Sequence, residues 1–372
     1  MFRFILITNL ILIAIISFSC GTRSGDGVDD VGGDMLTTHA QLLDVIDCGA
    51  YTIARVTNPW DTTSVMATYL LVPEDADVSL DELPSGIVVK VPLTSTIVYS
   101  SVHAGVIDEM GCAKAISGVV DAEYYKLPSI VSGLRSGKVI DVGSSMSPSI
   151  EQIIALNPEA ILASPFQNAG HGAVEKLGIP IIECADYMEP MPLGRAEWIK
   201  LFGELYDCRE VADSIFESVK RSYETIKAGV AGKVSRRPKV VTEQMIDGVW
   251  YQPGGASYMA QMLRDAGADY PWSNNSSTGS VQLDFGAVYD KAADADFWLI
   301  KTFNRDLTLI ELEQNYPLNS KIKAFHNGGV YSCNTATTLF FEDFPFHPDR
   351  LLQEYVNLFS GVDSLSYYKQ VR

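Results

Sequence analysis

The sequence predicts an α/β protein with two lobes, each a parallel sheet covered by helices, joined by one long α-helix. Three observations carry this prediction. From Ile87 onward, short β-rich runs alternate with amphipathic helical segments, a pattern typical of parallel sheets. The strongest helical pattern lies near the middle of the chain, and one helix-then-strand module occurs on each side of it. The length of 372 residues also favours two domains over one.

The N-terminus has the features of a secretion signal. Arg3 precedes an almost wholly apolar run, Phe4 to Ser19, which ends at Cys20 and Gly21. Such a run is short for a bilayer span of about 20 residues, and its basic start and small-residue exit are typical of a signal peptide. We predict a signal peptide over 1–19, lipidation of Cys20 and a polar leash over 20–46. An uncleaved anchor is the alternative, and both place the remaining chain outside the cytoplasm.

Composition limits the function classes. The formal charge of −18 argues against a nucleic-acid partner, because phosphate binding requires a concentrated cationic surface. The apolar content of 47% is that of a globular protein. Six cysteines are present, and Cys20 would carry the lipid. The remaining five are an odd number, and their spacings are unlike those of zinc sites. We therefore expect buried thiols, with at most one or two disulfides.

Residues 47–86 are predicted to form a β ribbon, with strands near 51–57 and 66–72 around a turn at 58–61. The first lobe is assigned to 87–206, and each of its strands is followed by a polar or glycine-containing turn. Open α/β sheets bind ligands at such turns. The predicted strands of this lobe are 96–99, 138–142, 160–163 and 180–183.

The long helix is predicted over 207–230. Asp207 is its expected N-cap, Glu210 follows three residues later, and Gly229 is its expected stop. Six apolar residues form one stripe along it: Val211, Ile215, Phe216, Val219, Tyr223 and Ile226. The helix is interpreted as a rigid spine between the lobes, and an ordinary packing helix within one domain is the alternative.

The second lobe is assigned to 236–372. Its predicted strands are 239–242, 297–300 and 329–332, and its predicted helices lie near 257–266 and 348–359. The repeated module is a short capped helix followed by a strand. It occurs over 147–163 in the first lobe and over 284–300 in the second, which indicates two related lobes.

Several segments occur in an order that resembles the class III solute-binding proteins of ABC importers, in a lipoprotein branch found in Bacteroidetes-type bacteria. The resemblance covers about residues 87–368. The segments that carry it are Ser100–Gly105, Asp141–Gly143, Pro148–Glu159, Gly178–Ile182, Asp186–Lys200 and Trp250–Gly255. It implies two Rossmann-like lobes with a ligand cleft between them.

The resemblance also implies a function. The chain would be a periplasmic, monomeric lipoprotein, not an enzyme, anchored by its lipid to a bacterial membrane. It would deliver an iron–siderophore, haem or cobalamin-like ligand to a permease and ATPase complex. Glu151 matches the family's permease-contacting glutamate, whereas Gly286 stands where a second glutamate is expected. Asp284 or Asp290 is the candidate substitute, and docking is expected to be lopsided.

Residues in the predicted turns are the candidates for the cleft walls, because aromatic rings and amides suit a large planar ligand. No cofactor of the protein's own is expected, since the ligand would bring its own iron or cobalt. The first-lobe candidates are His103, Tyr124, Tyr125, Phe166, Gln167, Asn168, Asp186, Tyr187, Met188 and Arg195. The second-lobe candidates are Trp250, Tyr251, Tyr258, Trp272, Phe303, Asn304 and Asn334.

Alternatives remain open at this point. A free transition-metal site would draw on His103, His171 and Asp186. His103 is also a candidate axial ligand to haem iron or cobalt. The preferred interpretation of His103 is a loop histidine whose ring nitrogens form hydrogen bonds within the protein. A secreted enzyme is disfavoured because the sequence has no nucleophile elbow, phosphate-binding loop or His-Glu-x-x-His motif. A purely structural surface lipoprotein is the third class.

Overall fold

The computed structural model describes residues 32–231 and 236–372. The predicted signal peptide, Cys20 and the first part of the predicted leash lie outside the described residues. Within the described ranges, the structure contains no helix with the length and apolarity that a membrane span requires.

A five-stranded sheet opens the described chain, with its strands in sequential order. Strands β1 to β4 pair antiparallel, and β5 pairs parallel with β4. The bounds are β1 (Asp34–Met35), β2 (Leu43–Asp47), β3 (Thr52–Thr57), β4 (Val65–Pro73) and β5 (Ile87–Val91). The predicted strands are confirmed as β3 and β4, but this sheet is larger than the predicted ribbon.

The predicted leash is wrong beyond residue 33. Leu43 and Val45 of β2 are buried in the core, which a solvated leash would not allow. Two buried carboxylates also hold the preceding segment. Glu197 accepts hydrogen bonds from the backbone amides of 38–40, and Glu189 accepts them from those of 41 and 42. These partners lie about 150 residues away in sequence, so local patterning does not reveal them.

The first lobe contains a five-stranded parallel sheet in the order β12-β11-β6-β7-β8. Its four predicted strands are all present within three residues of their predicted ends. The bounds are β6 (Thr96–Val98), α1 (Ser101–Glu109), β7 (Ile116–Val119), α2 (Pro128–Ser136), β8 (Ile140–Asp141), β9 (Gly143–Ser144), β10 (Ser147–Pro148), α3 (Ile150–Leu156), β11 (Ala160–Ala163), β12 (Ile181–Glu183), α4 (Pro192–Glu197) and α5 (Ile199–Leu205).

The long helix, α6, spans Arg209–Val230. Phe216 and Val219 belong to the hydrophobic core of the first lobe, whereas Tyr223 belongs to that of the second. One helix therefore contributes to both cores, which confirms the predicted spine. Two details of the prediction are wrong.

The N-cap position of α6 is occupied by Cys208, and Asp207 precedes it with a left-handed φ of 52°. The Asp207 carboxylate therefore does not cap α6. At the other end, the helix continues through Gly229 to Val230, and a Cβ at Gly229 would meet no atom within 4 Å. Glycine lowers helix stability but does not by itself end a helix whose apolar stripe continues to pack.

The second lobe has a four-stranded sheet in the order β13-β17-β18-β19, of which only β19 is antiparallel. Strands β14, β15 and β16 form a separate antiparallel sheet. The bounds are β13 (Val240–Thr242), β14 (Met245–Ile246), β15 (Val249–Pro253), α7 (Tyr258–Asp265), β16 (Ser280–Leu283), α8 (Phe285–Ala292), β17 (Phe297–Thr302), α9 (Leu309–Asn315), α10 (Lys323–His326), β18 (Val330–Asn334), α11 (Phe340–Asp343), α12 (Pro348–Phe359) and β19 (Lys369–Gln370).

The repeated helix-then-strand module is confirmed. The Ser149 hydroxyl accepts the amide of Gln152 at the start of α3, and the Asp284 carboxylate accepts the amide of Ala287 at the start of α8. The strands that follow, β11 and β17, each lie between two parallel neighbours. The two lobes are therefore built on a common plan.

The lobes also touch directly, away from α6. Helix α1 of the first lobe packs on α11 of the second, and a Cβ at Gly105 would lie 2.1 Å from the carbonyl oxygen of Glu342. Helix α4 similarly packs against α7. Glycine at position 105 is thus required by close backbone approach rather than by a turn.

Candidate functional site

The carboxyl ends of the parallel strands present large aromatic side chains to solvent. Tyr124 follows β7, Phe166 follows β11, and Phe303 follows β17; their exposed fractions are 50%, 63% and 49%. Tyr251 lies on β15, where the exposed fraction is 42%. Exposed rings of this size at the ligand edge of an α/β sheet are suited to contact with an apolar or planar ligand.

Tyr124 and Phe303 come from different lobes and meet. Their ring centroids lie 5.2 Å apart, with an interplanar angle of 61°. This edge-to-face geometry is favourable for two aromatic rings. The contact shows that the strand ends of the two lobes face each other, as the predicted cleft requires.

The turns that carry these aromatics are tight. Asn168 and Asn304 both have left-handed backbones, with φ values of 57° and 55°, which asparagine tolerates better than most residues. Gln167, Asn168 and Asn304 are exposed beside the rings of Phe166 and Phe303. Each turn therefore pairs an aromatic side chain with amides able to donate and accept hydrogen bonds.

Tyr187, Met188 and Asn334 occupy intermediate positions. The Tyr187 hydroxyl donates to the carbonyl of Pro165, 2.6 Å away, so the ring stands beside the Phe166 turn. Met188 packs against the first-lobe core. The Asn334 amide donates to Asp306 at the end of β18. Tyr187 remains a candidate for the cleft wall, with its ring orientation set by the hydroxyl contact.

A buried polar network lies at the contact between the lobes. Asp186 accepts from His103 Nε2 at 2.9 Å and from Arg195 Nε at 3.0 Å. Arg195 also donates to the Tyr258 hydroxyl, and its Cζ atom lies 4.7 Å from the centroid of that ring. Tyr258 is the first residue of α7, so this network joins the first lobe to the second.

The charges in this network stabilise one another. Burial alone would raise the pKa of Asp186, but the positive charge of Arg195 and the interaction with His103 outweigh it, and the pKa lies below its ordinary value. His103, Asp186 and Arg195 are 1%, 1% and 5% exposed. The predicted placement of these three on the cleft wall is wrong, since buried charges pair with one another rather than face solvent.

Three predicted aromatic contacts are also wrong. Trp250 is fully buried, stacks on Trp298 at 5.4 Å and donates its indole N–H to the carbonyl of Thr242. Trp272 is 5% exposed and packs in the second-lobe core. Tyr125 is 3% exposed and donates to the carbonyl of Val98. Because these rings are buried, they are not part of the cleft surface. The place of a residue after a predicted strand does not show whether its side chain is buried or exposed.

The residues proposed for a metal site do not converge. His103 pairs with Asp186, whereas His171 pairs with Glu183 at 2.9 Å. The hydrogen bond that His171 donates to the Glu183 carboxylate raises the pKa of His171 above its ordinary value. His103 lies in α1 with Nε2 occupied, and is not presented to the cleft as an axial ligand would be. Across residues 32–231 and 236–372, no three potential metal ligands are grouped around one point.

Two of the candidate docking residues, Glu151 and Asp284, lie at the starts of equivalent helices, whereas Asp290 lies in the last turn of α8. Glu151 is exposed in the first turn of α3, 3.3 Å from the Ser149 hydroxyl. Asp284 caps α8 by accepting the Ala287 amide at 2.8 Å. A Cβ at Gly286 would meet only Asp284 Oδ1 within 4 Å, so this position has room for a side chain.

Two exposed apolar residues in short hairpins near the strand ends were not predicted from the sequence. Met146, between β9 and β10, is 88% exposed, and Ile246, the last residue of β14, is 59% exposed. Tyr99 was not predicted either; it follows β6 and has a buried hydroxyl without a partner among the described residues. For Met146 and Ile246, the available signal in the sequence was an apolar residue beside a polar turn.

Comparison with known proteins agrees with this architecture. The family model described as periplasmic binding protein matches residues 97–337. An uncharacterised lipoprotein of Methanocaldococcus jannaschii is 31% identical over 255 residues, covering 66% of this chain and 60% of that protein. The chain therefore spans about three fifths of that relative's length.

Solved structures show the same fold. An ABC-type Fe³⁺-hydroxamate transport protein from Saccharomonospora viridis aligns with a TM-score of 0.56 and 18% identity, covering 72% of this chain and 93% of that one. A periplasmic haem-binding protein from Pseudomonas aeruginosa aligns with a TM-score of 0.58 and 14% identity, covering 75% and 98%. With two α/β lobes on one helical spine and a family match over most of both lobes, this chain belongs to the class III periplasmic binding proteins.

Proposed function

We propose that this protein is an extracytoplasmic substrate-binding lipoprotein of an ABC importer. It captures an iron–siderophore, haem or corrinoid ligand between its lobes and delivers it to an inner-membrane permease and ATPase complex. The observation that carries the proposal is the pair of exposed rings, Tyr124 and Phe303, which face each other from the ends of strands in opposite lobes.

The character of these strand ends supports a large, partly apolar ligand. Three aromatic side chains there are 49–63% exposed, and exposed amides stand beside two of them. Tyr251, within β15, is 42% exposed. Contact with a ligand would remove the rings from water, while the amides would fix its orientation. Of the proteins with the same fold, one is named as a haem-binding protein and another as an Fe³⁺-hydroxamate transport protein.

The contact between Tyr124 and Phe303 would have to open for a ligand to enter between the rings. When the two lobes close on a ligand, the contact between the Tyr124 and Phe303 rings would be replaced by one contact of each ring with the ligand. The Arg195–Tyr258 contact also joins the two lobes and would remain as the pivot. This arrangement predicts that both rings contribute to affinity.

Binding is tested by native mass spectrometry against ferric siderophores, haem, cobalamin and cobinamide. We expect one class to bind in a 1:1 complex, and Tyr124→Ala and Phe303→Ala each to weaken its binding at least tenfold. Tyr289→Ala is the matched control, since that ring is 39% exposed on α8 rather than at a strand end. Failure of the whole panel to bind, together with turnover of another solute, would overturn the proposal.

Docking to the permease is proposed to rest mainly on the first lobe, through Glu151. Exposed ion pairs contribute about 0–1 kcal/mol, so Glu151 must become buried against an arginine of the permease to matter more. Glu151→Gln should slow reconstituted transport without changing ligand affinity. Asp284→Asn is the matched comparison, because asparagine still caps α8 while removing the charge. Transport indifferent to Glu151→Gln would refute this docking mode.

The lipid anchor is proposed at Cys20, and the related archaeal protein is named a lipoprotein. Acyl chains would supply membrane affinity. Cys20→Ala should block processing or release the protein from the membrane fraction. Retention of a processed Cys20→Ala protein in the membrane would place the anchor elsewhere.

A further inference from the structure

Two cysteines from distant parts of the sequence lie in contact. The Sγ atoms of Cys112 and Cys208 are 3.4 Å apart, although 96 positions separate the residues. Cys112 follows α1, and Cys208 is the N-cap residue of α6. The pair therefore joins the end of a first-lobe helix to the start of the interlobe spine.

Local hydrogen bonds hold both backbones in place. The Cys112 amide donates to the carbonyl of Ile107, and the Cys208 amide donates to that of Gly203, each at 2.9 Å. Met110 completes the cluster, with its Sδ 3.7 Å from Cys208 Sγ. The two thiols are thus neighbours because the helix ends are fixed, not because flexible segments happen to meet.

The other described thiols are isolated from one another. Cys184 and Cys333 are fully buried, and their sulfur atoms contact the carbonyl of Ile182 and the hydroxyl of Thr338. Cys48 contacts the carbonyl of Ile46. Among all cysteines in the described part of the chain, only Cys112 and Cys208 have sulfur atoms in mutual contact.

We propose that Cys112 and Cys208 form an intramolecular disulfide in the mature protein. The family is extracytoplasmic, and disulfides persist in oxidising compartments. Bond formation requires the Sγ–Sγ distance to shorten from 3.4 Å to about 2.05 Å, which side-chain rotation with a small adjustment can supply.

The reaction is a thiol–disulfide exchange with an external disulfide, such as that of an oxidoreductase or oxidised glutathione. One thiol loses its proton and attacks the oxidant, which forms a mixed disulfide and releases one oxidant thiol. The second thiol loses its proton and displaces the other. Overall, two protein thiols lose two electrons and two protons, and one oxidant disulfide is reduced to two thiols.

The bond is expected to form during folding. Burial, together with the hydrogen bond to Cys112, raises the pKa of the Cys208 thiol to about 12, so little thiolate is present once the fold is complete. Thiol–disulfide exchange depends on the thiolate. The completed bond would tie α1, which packs against the second lobe at Gly105, to the amino end of the spine.

The full chain, expressed with its N-terminal segment and purified without reductant, provides the test. Alkylation after denaturation, followed by peptide mapping, should find Cys112 and Cys208 cross-linked and about 2 Da lighter than the two thiols. Cys48, Cys184 and Cys333 should be alkylated. Free thiols at both positions, persisting after refolding with oxidised glutathione, would overturn the proposal, whether or not the protein binds a ligand.

Thermal unfolding gives an independent measurement. Reductant should lower the Tm of the parent protein by roughly 4–10 °C, because the disulfide closes a long loop in the unfolded chain. Cys112→Ala should abolish this response, whereas Cys48→Ala should retain it. A Tm of the parent that does not change with reductant, together with free thiols in the map, would show that the contact is non-covalent.

Discussion

Asp186→Asn should destabilise the protein strongly, because it removes the carboxylate that neutralises a buried guanidinium. Asp186 is 1% exposed and Arg195 is 5% exposed, and their contact distance is 3.0 Å. Asparagine has nearly the same size but carries no charge. Arg195 would keep only its contacts with Tyr258 and nearby aromatic rings, which do not neutralise it.

The expected loss is about 3–5 kcal/mol, the usual cost of removing one partner of a buried ion pair. Urea denaturation followed by tryptophan fluorescence measures it. Asp290→Asn is the matched control, since Asp290 is exposed on α8, and its denaturation midpoint should equal that of the parent. The double variant Asp186→Asn/Arg195→Met should be less destabilised than the sum of its single variants, because no unpaired charge remains.

The pH dependence has a definite sign. The pKa of Asp186 is lowered on folding, so its contribution to stability is present above the unfolded value, near 3.9, and is lost as the pH falls through the folded value. The difference between parent and Asp186→Asn should therefore be full at pH 7 and shrink below about pH 4. A difference under about 1 kcal/mol at pH 7 would refute the reasoning that this network carries a buried charge.

Three further substitutions test other contacts. Gly105→Ala should separate the lobes, because the new Cβ would lie 2.1 Å from a backbone oxygen of α11. Small-angle scattering should then show a larger radius of gyration. Gly229→Ala is the control and should leave the radius of gyration unchanged, because its Cβ would meet no atom within 4 Å. Glu197→Gln should speed hydrogen exchange at the amides preceding β2, and unchanged exchange would show that its carboxylate does not hold them. His171→Gln should lower the free energy of unfolding at pH 5.5 but not at pH 9. The pair with Glu183 raises the pKa of His171, so the stability that the pair contributes is lost as the pH rises through the pKa of the folded state. Equal effects at both pH values would contradict this.

The sequence by itself determined the α/β class, the spine and most strands of the main sheet in each lobe. These features depend on periodicity within one segment. The apolar stripe of α6 and the β-rich runs of β11 and β17 are local patterns, and each needs only a neighbouring layer to pack against. Capping residues such as Ser149 and Asp284 also act within one helical turn, so their roles are visible in the sequence.

Tertiary structure alone decided which turn residues face solvent. Trp250 and Tyr251 are adjacent in sequence, yet one is fully buried and the other is 42% exposed, because successive side chains of a strand point to opposite faces. His103 lies 83 positions from Asp186 in the sequence, and Arg195 lies nine positions from it. All three were predicted for the cleft wall, but their side chains pair in the buried contact between the lobes. Burial and charge pairing depend on the packing of distant segments, so only the folded chain distinguishes the cleft wall from the interface that supports it.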